Sequence, residues 1–289
     1  MKKRKSSLAT TLEMIKWEHS IFALPFALTG AMLAANGWPS WQQLSWIVVC
    51  MVTARSAAMA FNRLVDTELD AVNPRTRARA LPAGQLSKKF TVGFIFGMVL
   101  LFLLAAAMLN RLTLLLAPLA LFVVLVYSYT KLFTRWSHLV LGLALGIAPS
   151  AAWIAVRGSY DVRMLVMSGA VLLWVAGFDV LYSCQDFEHD RKVGLNSVPQ
   201  AFGVEGAFWI ARGMHLVMLA LLIWLVVLFG LGKIAMVGVA LVASLLLYEH
   251  LLVSPRDLRK LNAAFFTMNG VIAVVFFVFV AADLLLKKL

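Results

Sequence analysis

RMLVMSGAVLLWVAGFDVLYSCQDFEHD, residues Arg163 to Asp190, is a long apolar run that ends in acid. A run of about 20 apolar residues suits the hydrocarbon core of a bilayer. Asp179, Tyr182, Asp186 and Asp190 close this one at steps of three, four and four. A second run ends the same way, at Asn62-Arg63-Leu-Val-Asp66-Thr-Glu-Leu-Asp70. The chain has 14 acidic residues, and half of them lie in these two stretches: Asp66, Glu68, Asp70, Asp179, Asp186, Glu188 and Asp190. Carboxylates at a membrane surface are expensive unless a cation sits between them. The simplest such cation is a divalent metal, and a metal held this way usually holds a phosphate.

Working outward, the 289 residues are 62% hydrophobic and 14% charged. Soluble domains average about 25% charged residues. The expected fold is therefore all-α, a polytopic integral membrane protein forming one domain over residues 1–289. Nine spans are expected, at roughly 20–37, 44–62, 91–109, 112–129, 138–156, 163–185, 207–230, 233–253 and 265–284. The basic start at Lys2, Lys3, Arg4 and Lys5 is no secretory signal, because no small-residue cleavage site follows it. A net charge of +12 points to anchored cytoplasmic loops rather than to nucleic acid.

The basic residues orient the chain. With the N-terminus in the cytoplasm, 18 Lys and Arg fall on that side and six on the other, with Arg55 and Arg212 inside spans. That is a positive-inside pattern, and it implies a multi-pass protein of a cell (inner) membrane. Both acidic stretches then share the cytoplasmic side, one after span 2 and the other after span 6.

Residues three, four and seven apart share a helical face. Asn62, Asp66 and Asp70 form one stripe, which Arg55 extends a level deeper. Asp179, Tyr182, Asp186 and Asp190 form the other. Two facing stripes make a cup of four or five carboxylates. Mg²⁺ takes oxygen ligands of this kind, together with substrate phosphates. Like charges four apart destabilise a helix, so fold stability alone does not explain the stripes. The plain alternative for Arg55 is an interhelical salt bridge. Arg75, Arg77 and Arg79 follow the first stripe, and Lys131 lies in Tyr127-Ser-Tyr129-Thr-Lys131 on the same side. Guanidinium groups suit phosphate, although any one of these residues also serves as a positive-inside anchor.

Other candidates carry less. His19, His138, His215 and His250 are scattered with no zinc spacing, and His189 reads as a polar loop residue. Gly142 and Gly146 form a Gly-x-x-x-Gly that reads as close helix packing. Cys50 and Cys184 make neither a metal motif nor a disulfide framework, and Cys184 reads as a small core residue.

The two stripes resemble the paired motifs of the UbiA-type intramembrane prenyltransferases. The first family motif, Asn-(Asp/Arg)-x-x-Asp-x-x-x-Asp, is matched by Asn62, Arg63, Asp66 and Asp70. The second is matched by Asp186 and Asp190, preceded by Tyr182 and Asp179. Arg55 and the Tyr127, Tyr129, Lys131 segment also match, and the likeness covers nearly the whole chain. It implies a UbiA-like helical bundle with its active site on the cytoplasmic side. It also implies Mg²⁺-dependent transfer of a polyprenyl group from a polyprenyl diphosphate to an aromatic acceptor. By this resemblance Asp66, Asp70, Asp186 and Asp190 bind Mg²⁺, and Asn62 joins the same shell. Lys131 and Arg79 bind diphosphate. Asp179 and Tyr182 sit deeper, near the acceptor or the cation, and Arg55 meets either the diphosphate or the acceptor's carboxylate.

The acceptor implied is a hydroxylated aromatic carboxylate such as 4-hydroxybenzoate, in ubiquinone or menaquinone synthesis. The opening Glu18-His19-Ser-Ile-Phe-Ala-Leu-Pro25-Phe26 lacks the Lys-Pro pair of the 4-hydroxybenzoate branch. It resembles a neighbouring subgroup linked also to hydroxynaphthoates. Protohaem is a same-family alternative acceptor, and a cation or organic-anion transporter is the alternative from another class. Transporters more often carry their charges near the bilayer midplane.

Overall fold

The computed structural model describes residues 7–16, 20–258, 261 and 268–287. These are almost wholly helical: α1 (Ser7–Ile15), α2 (Ser20–Ala35), α3 (Trp41–Val65), α4 (Thr67–Val72), α5 (Lys88–Leu109), α6 (Arg111–Thr130), α7 (Ser137–Arg157), α8 (Met164–Ser183), α9 (Phe187–Val193), α10 (Val198–Leu228), α11 (Lys233–Leu252) and α12 (Asn269–Leu286). Lys2 to Lys5, the Glu18-His19 opening, and Arg259, Lys260 and Lys288 lie outside the described residues, as do positions 265–267 of the last expected span.

Among the described residues, eight helices are long and apolar enough to cross a membrane. Within the first expected span, 20–37, the described residues form the 16-residue α2, which begins next to residues outside the described set.

Polar residues set the helix starts. Ser40, Ser87, Asn110 and Ser197 each accept a hydrogen bond from a backbone amide in the first turn of the helix that follows, and Gln43 completes a capping box with Ser40. At the other end, α7 stops at Gly158 with φ +66°, where a residue without Cβ avoids strain. Gly203 (φ 72°, ψ 168°) breaks α10, setting a short N-terminal foot against the long span that follows.

α8 is the centre of the bundle. The apolar window of its span is 67% buried, against 17% for α5 and for α6. Met164, Met167, Val171, Trp174 and Val175 are enclosed, and Trp174 packs on Phe26 and Phe178 with ring centroids 4.9 and 5.2 Å away. α7 meets α8 backbone to backbone. A Cβ on Gly146 would lie 2.7 Å from the Ser168 carbonyl oxygen, and one on Gly142 would overlap the Leu172 carbonyl. The Gly-x-x-x-Gly is therefore a packing seam, as its spacing predicts. Ser150 and Ser168 share a 2.7 Å hydrogen bond along the same seam. Cys184 is buried in a small apolar cluster with Val180, Leu181 and Phe208, in keeping with its reading as a core residue.

The seam holds the start of α7 against the end of α8, where the acidic residues begin. Gly142→Val should push the two helices apart and lower stability by roughly 1–3 kcal/mol. Thermal unfolding of the purified protein in detergent, compared with wild type, measures this.

Candidate active site

The ends of α3, α6 and α8, the start of α7, residues of α1, α4 and α9, and the loops before α5 and α10 surround one cavity of about 1370 Å³. All ten site residues expected from the sequence line it: Arg55, Asn62, Asp66, Asp70, Arg79, Lys131, Asp179, Tyr182, Asp186 and Asp190. Among the described residues its charge is balanced. Glu13, Asp66, Asp70, Asp179, Asp186 and Asp190 face Lys16, Arg55, Arg63, Arg75, Arg79 and Lys131. Deeper, the wall becomes apolar at Met59, Leu141, Leu145, Val175 and Phe178.

Neither acidic stripe runs along one unbroken helix, which corrects the expectation from spacing. Asp66 has φ −84° and ψ 1°, ending α3 and starting α4. A 3-10 turn, Cys184–Asp186, likewise separates α8 from α9. At both breaks ψ lies near zero, and each turns an aspartate into the cavity mouth.

The carboxylates are held chiefly by cations. Lys131 lies 2.6 Å from Asp66 Oδ2, and Asn62 donates to the same oxygen at 3.2 Å. Arg79 Nη1 donates to both oxygens of Asp70, at 2.7 and 2.8 Å. Arg75 grips Asp186 in a fork: Nε donates to Oδ1 at 2.8 Å and Nη2 to Oδ2. Its Nη1 also donates to the Tyr182 hydroxyl at 3.2 Å. Burial works against the charged form of Arg75, but the bonds to Asp186 outweigh it and raise its pKa. Asn73 donates to Asp186 as well, at 3.3 Å, while its own side-chain oxygen accepts from the Arg75 amide at 2.9 Å. The loop after α4 thus reaches from the first acidic stretch to the second.

The donor set suits a hard divalent cation. The candidate ligands offer oxygen atoms, and Asp66 Oδ1 is buried without a hydrogen-bond partner while Oδ2 is engaged. No three His, Cys, Asp or Glu side chains among the described residues converge as a ready-made metal cluster. The lysine and arginines occupy the carboxylates instead. Arg55 is in no ion pair among the described residues, and its Nε is buried without a partner. The salt-bridge alternative therefore gains no support.

The sequence reading missed two contacts. Arg75 is the cation that joins the two stretches. His138, set aside as scattered, has Nδ1 2.7 Å from Asp179 Oδ2. Its place at the start of a span on the same side as Lys131 was the available signal. His189 belongs to α9 rather than a loop and also lines the cavity.

Residues 23–271 match the model of the UbiA prenyltransferase family. The chain belongs to that family. It is 30% identical to the 4-hydroxybenzoate octaprenyltransferase of Vibrio parahaemolyticus, over 83% of this chain and 84% of that protein. It is 32% identical to the corresponding protein of Nitrosospira multiformis, over 86% of each. Among solved structures, the apo UbiA homolog from Aeropyrum pernix K1 aligns with a TM-score of 0.84 and 32% identity, covering 94% of this chain and 99% of that one. The UbiA homolog from Archaeoglobus fulgidus, solved with GPP and Mg²⁺, shares the fold at TM-score 0.72 and 18% identity, covering 95% and 99%. As a UbiA family member the chain is a prenyltransferase, and the transporter reading gains no support.

Arg75 ties its loop to the second acidic stretch, so Arg75→Ala should free that loop. Amide hydrogen exchange over residues 73–79 should rise by about tenfold or more, the effect of losing hydrogen bonds to a charged group. Arg77→Ala, at an exposed position of the same loop, serves as the control.

Proposed function

We propose that this prenyltransferase moves a polyprenyl group from a polyprenyl diphosphate to a hydroxylated aromatic carboxylate, with Mg²⁺ as cofactor. The observation that carries the reading is the single cavity joining a charge-dense mouth to an apolar wall. Such a shape suits a molecule with a diphosphate at one end and a hydrocarbon chain at the other. Relatives bearing the name 4-hydroxybenzoate octaprenyltransferase support this donor and acceptor class, with its role in ubiquinone synthesis. The Archaeoglobus neighbour with GPP and Mg²⁺ supports the pairing of diphosphate with metal.

Asp66, Asp70, Asp186 and Asp190 are the residues that would hold Mg²⁺, with Asn62 beside them. When bound, the metal supplies positive charge against the charge that develops on the leaving diphosphate. Lys131, Arg79 and Arg75, released from their carboxylates, turn to the diphosphate oxygens. Arginine forks suit that geometry. Arg55 stands deeper, in no ion pair among the described residues, as the group to meet the acceptor's carboxylate or the diphosphate. As C1 of the prenyl chain leaves the diphosphate oxygen it bonds to a ring carbon, and that carbon loses its proton. Asp179 is the carboxylate assigned to take this proton, with Tyr182 beside it. The apolar wall excludes water from the developing cation. The site opens to the cytoplasm, on the side where positive-inside charges gather, in a cell inner membrane.

The test is an assay in membranes with farnesyl diphosphate, MgCl₂ or EDTA, and either 4-hydroxybenzoate or a dihydroxynaphthoate, read by mass spectrometry. A prenylated, EDTA-sensitive product is expected, and its identity names the acceptor. Asp66→Ala and Asp190→Ala should abolish turnover while leaving membrane insertion intact. Wild-type rates in both variants would remove the metal site.

The carboxylate–cation pairs also predict synergy. Mg²⁺ alone must displace cations, and diphosphate alone must displace carboxylates, whereas together they exchange partners. Each should raise the other's affinity by about 5–150-fold. Calorimetric titration of one with and without the other measures this, and independent affinities would refute it.

A further inference from the structure

We propose that His138 is a positioning residue that aims the Asp179 carboxylate at the aromatic acceptor and keeps it available to take the ring proton. The inference rests on the role given above to Asp179.

The imidazole is fixed from both sides. Nδ1 lies 2.7 Å from Asp179 Oδ2, and the backbone N–H of Val198 donates to Nε2 at 3.3 Å. A backbone N–H only donates, so Nε2 must be the bare nitrogen, and the ring proton stands on Nδ1 pointing at Asp179. A doubly protonated ring would turn its Nε2–H against the Val198 N–H. His138 is therefore a neutral, oriented donor. Its side chain is 4% exposed, while that of Asp179 is 21% exposed and lines the cavity.

This separates Asp179 from its neighbours. Asp66, Asp70 and Asp186 each face a Lys or Arg, which cancels their charge and occupies their oxygens. An imidazole with its proton on Nδ1 orients a carboxylate without cancelling it. Asp179 keeps its negative charge and the lone pairs that His138 does not use. His138 does not relay the proton, because its second nitrogen is occupied by Val198. When the new carbon–carbon bond forms and the C1–oxygen bond to diphosphate breaks, the ring C–H proton goes to the carboxylate itself.

The hold also spans three helices. His138 begins α7, Asp179 lies near the end of α8, and Val198 begins α10. The aim of the carboxylate thus depends on the register of the glycine seam between α7 and α8.

The experiment uses the full chain in lipid nanodiscs, with farnesyl diphosphate, Mg²⁺ and the better of the two aromatic acceptors. His138→Ala should lower kcat about 10- to 100-fold, the cost of one hydrogen bond to a charged group. KM for farnesyl diphosphate, and its binding measured separately, should stay within about twofold of wild type, since those depend on the other carboxylates. His138→Gln, whose amide can both donate to Asp179 and accept from Val198, should recover most of the lost kcat. Full activity in His138→Ala overturns the proposal. So does equal loss in the Ala and Gln variants, or a fall in diphosphate binding that matches the fall in kcat, since these mark a structural role. Asp179→Asn is run alongside. Wild-type turnover in that variant overturns the Asp179 role itself, whereas an inactive Asp179→Asn beside an active His138→Ala overturns only the role of His138.

Discussion

Arg75 and Asp186 stand 111 positions apart and meet as a fork of hydrogen bonds across the cavity mouth. Carboxylates at the end of a membrane bundle are costly unless paired, and this chain pairs the acids of one stretch with bases supplied by another. The rest of the mouth depends on that constraint. The loop after α4 folds inward because Asn73 and Arg75 both reach Asp186. The end of α6 is drawn to α3 because Lys131 needs Asp66 as much as Asp66 needs Lys131. Arg79 closes back on Asp70 from within the same loop.

The pairs work only if the helix ends arrive together, and α8 arranges this. Its apolar faces are covered chiefly by α7 and α10, with Phe26 of α2 against Trp174, and its last turns carry Asp179 and Tyr182 to the cavity. Without a hydrophobic drive between helices in lipid, association relies on close packing, which small residues permit. Gly142 and Gly146 let the α7 backbone approach α8 closely enough for His138 to touch Asp179. A seam chosen by steric fit thereby sets a polar contact at its end.

Much of this was legible in the sequence. Apolar runs marked the spans, and the basic residues put both acidic stretches on one side. The expected site residues do share one cavity. The two Gly residues of α7 were read correctly from spacing alone. Partner choice was not legible. Which arginine meets which aspartate depends on how a loop folds back over the mouth, and no periodicity encodes that. Helical periodicity also hid the turns at Asp66 and at Asp186, because near-helical geometry on either side preserves the spacing while the axis changes. His138 escaped because a histidine is identified by what it faces, and what it faces lies 41 positions away.

Among the described residues, six acids and six bases line the cavity. The chain carries a net charge of +12, yet almost none of that excess belongs to the cavity lining. Long-range attraction toward a cleft needs a surplus of one sign, and opposite charges in contact cancel beyond a few ångströms. The lining itself therefore adds little to the long-range field of this face. Attraction over a distance falls instead to the basic residues outside the cavity, among them Arg77, Lys88, Lys89 and Lys192. The paired groups of the mouth act at short range, where one partner can be exchanged for another. Arg75, Arg79 and Lys131, each already paired with an aspartate, are less open to a stray anion than a bare cluster of cations would be.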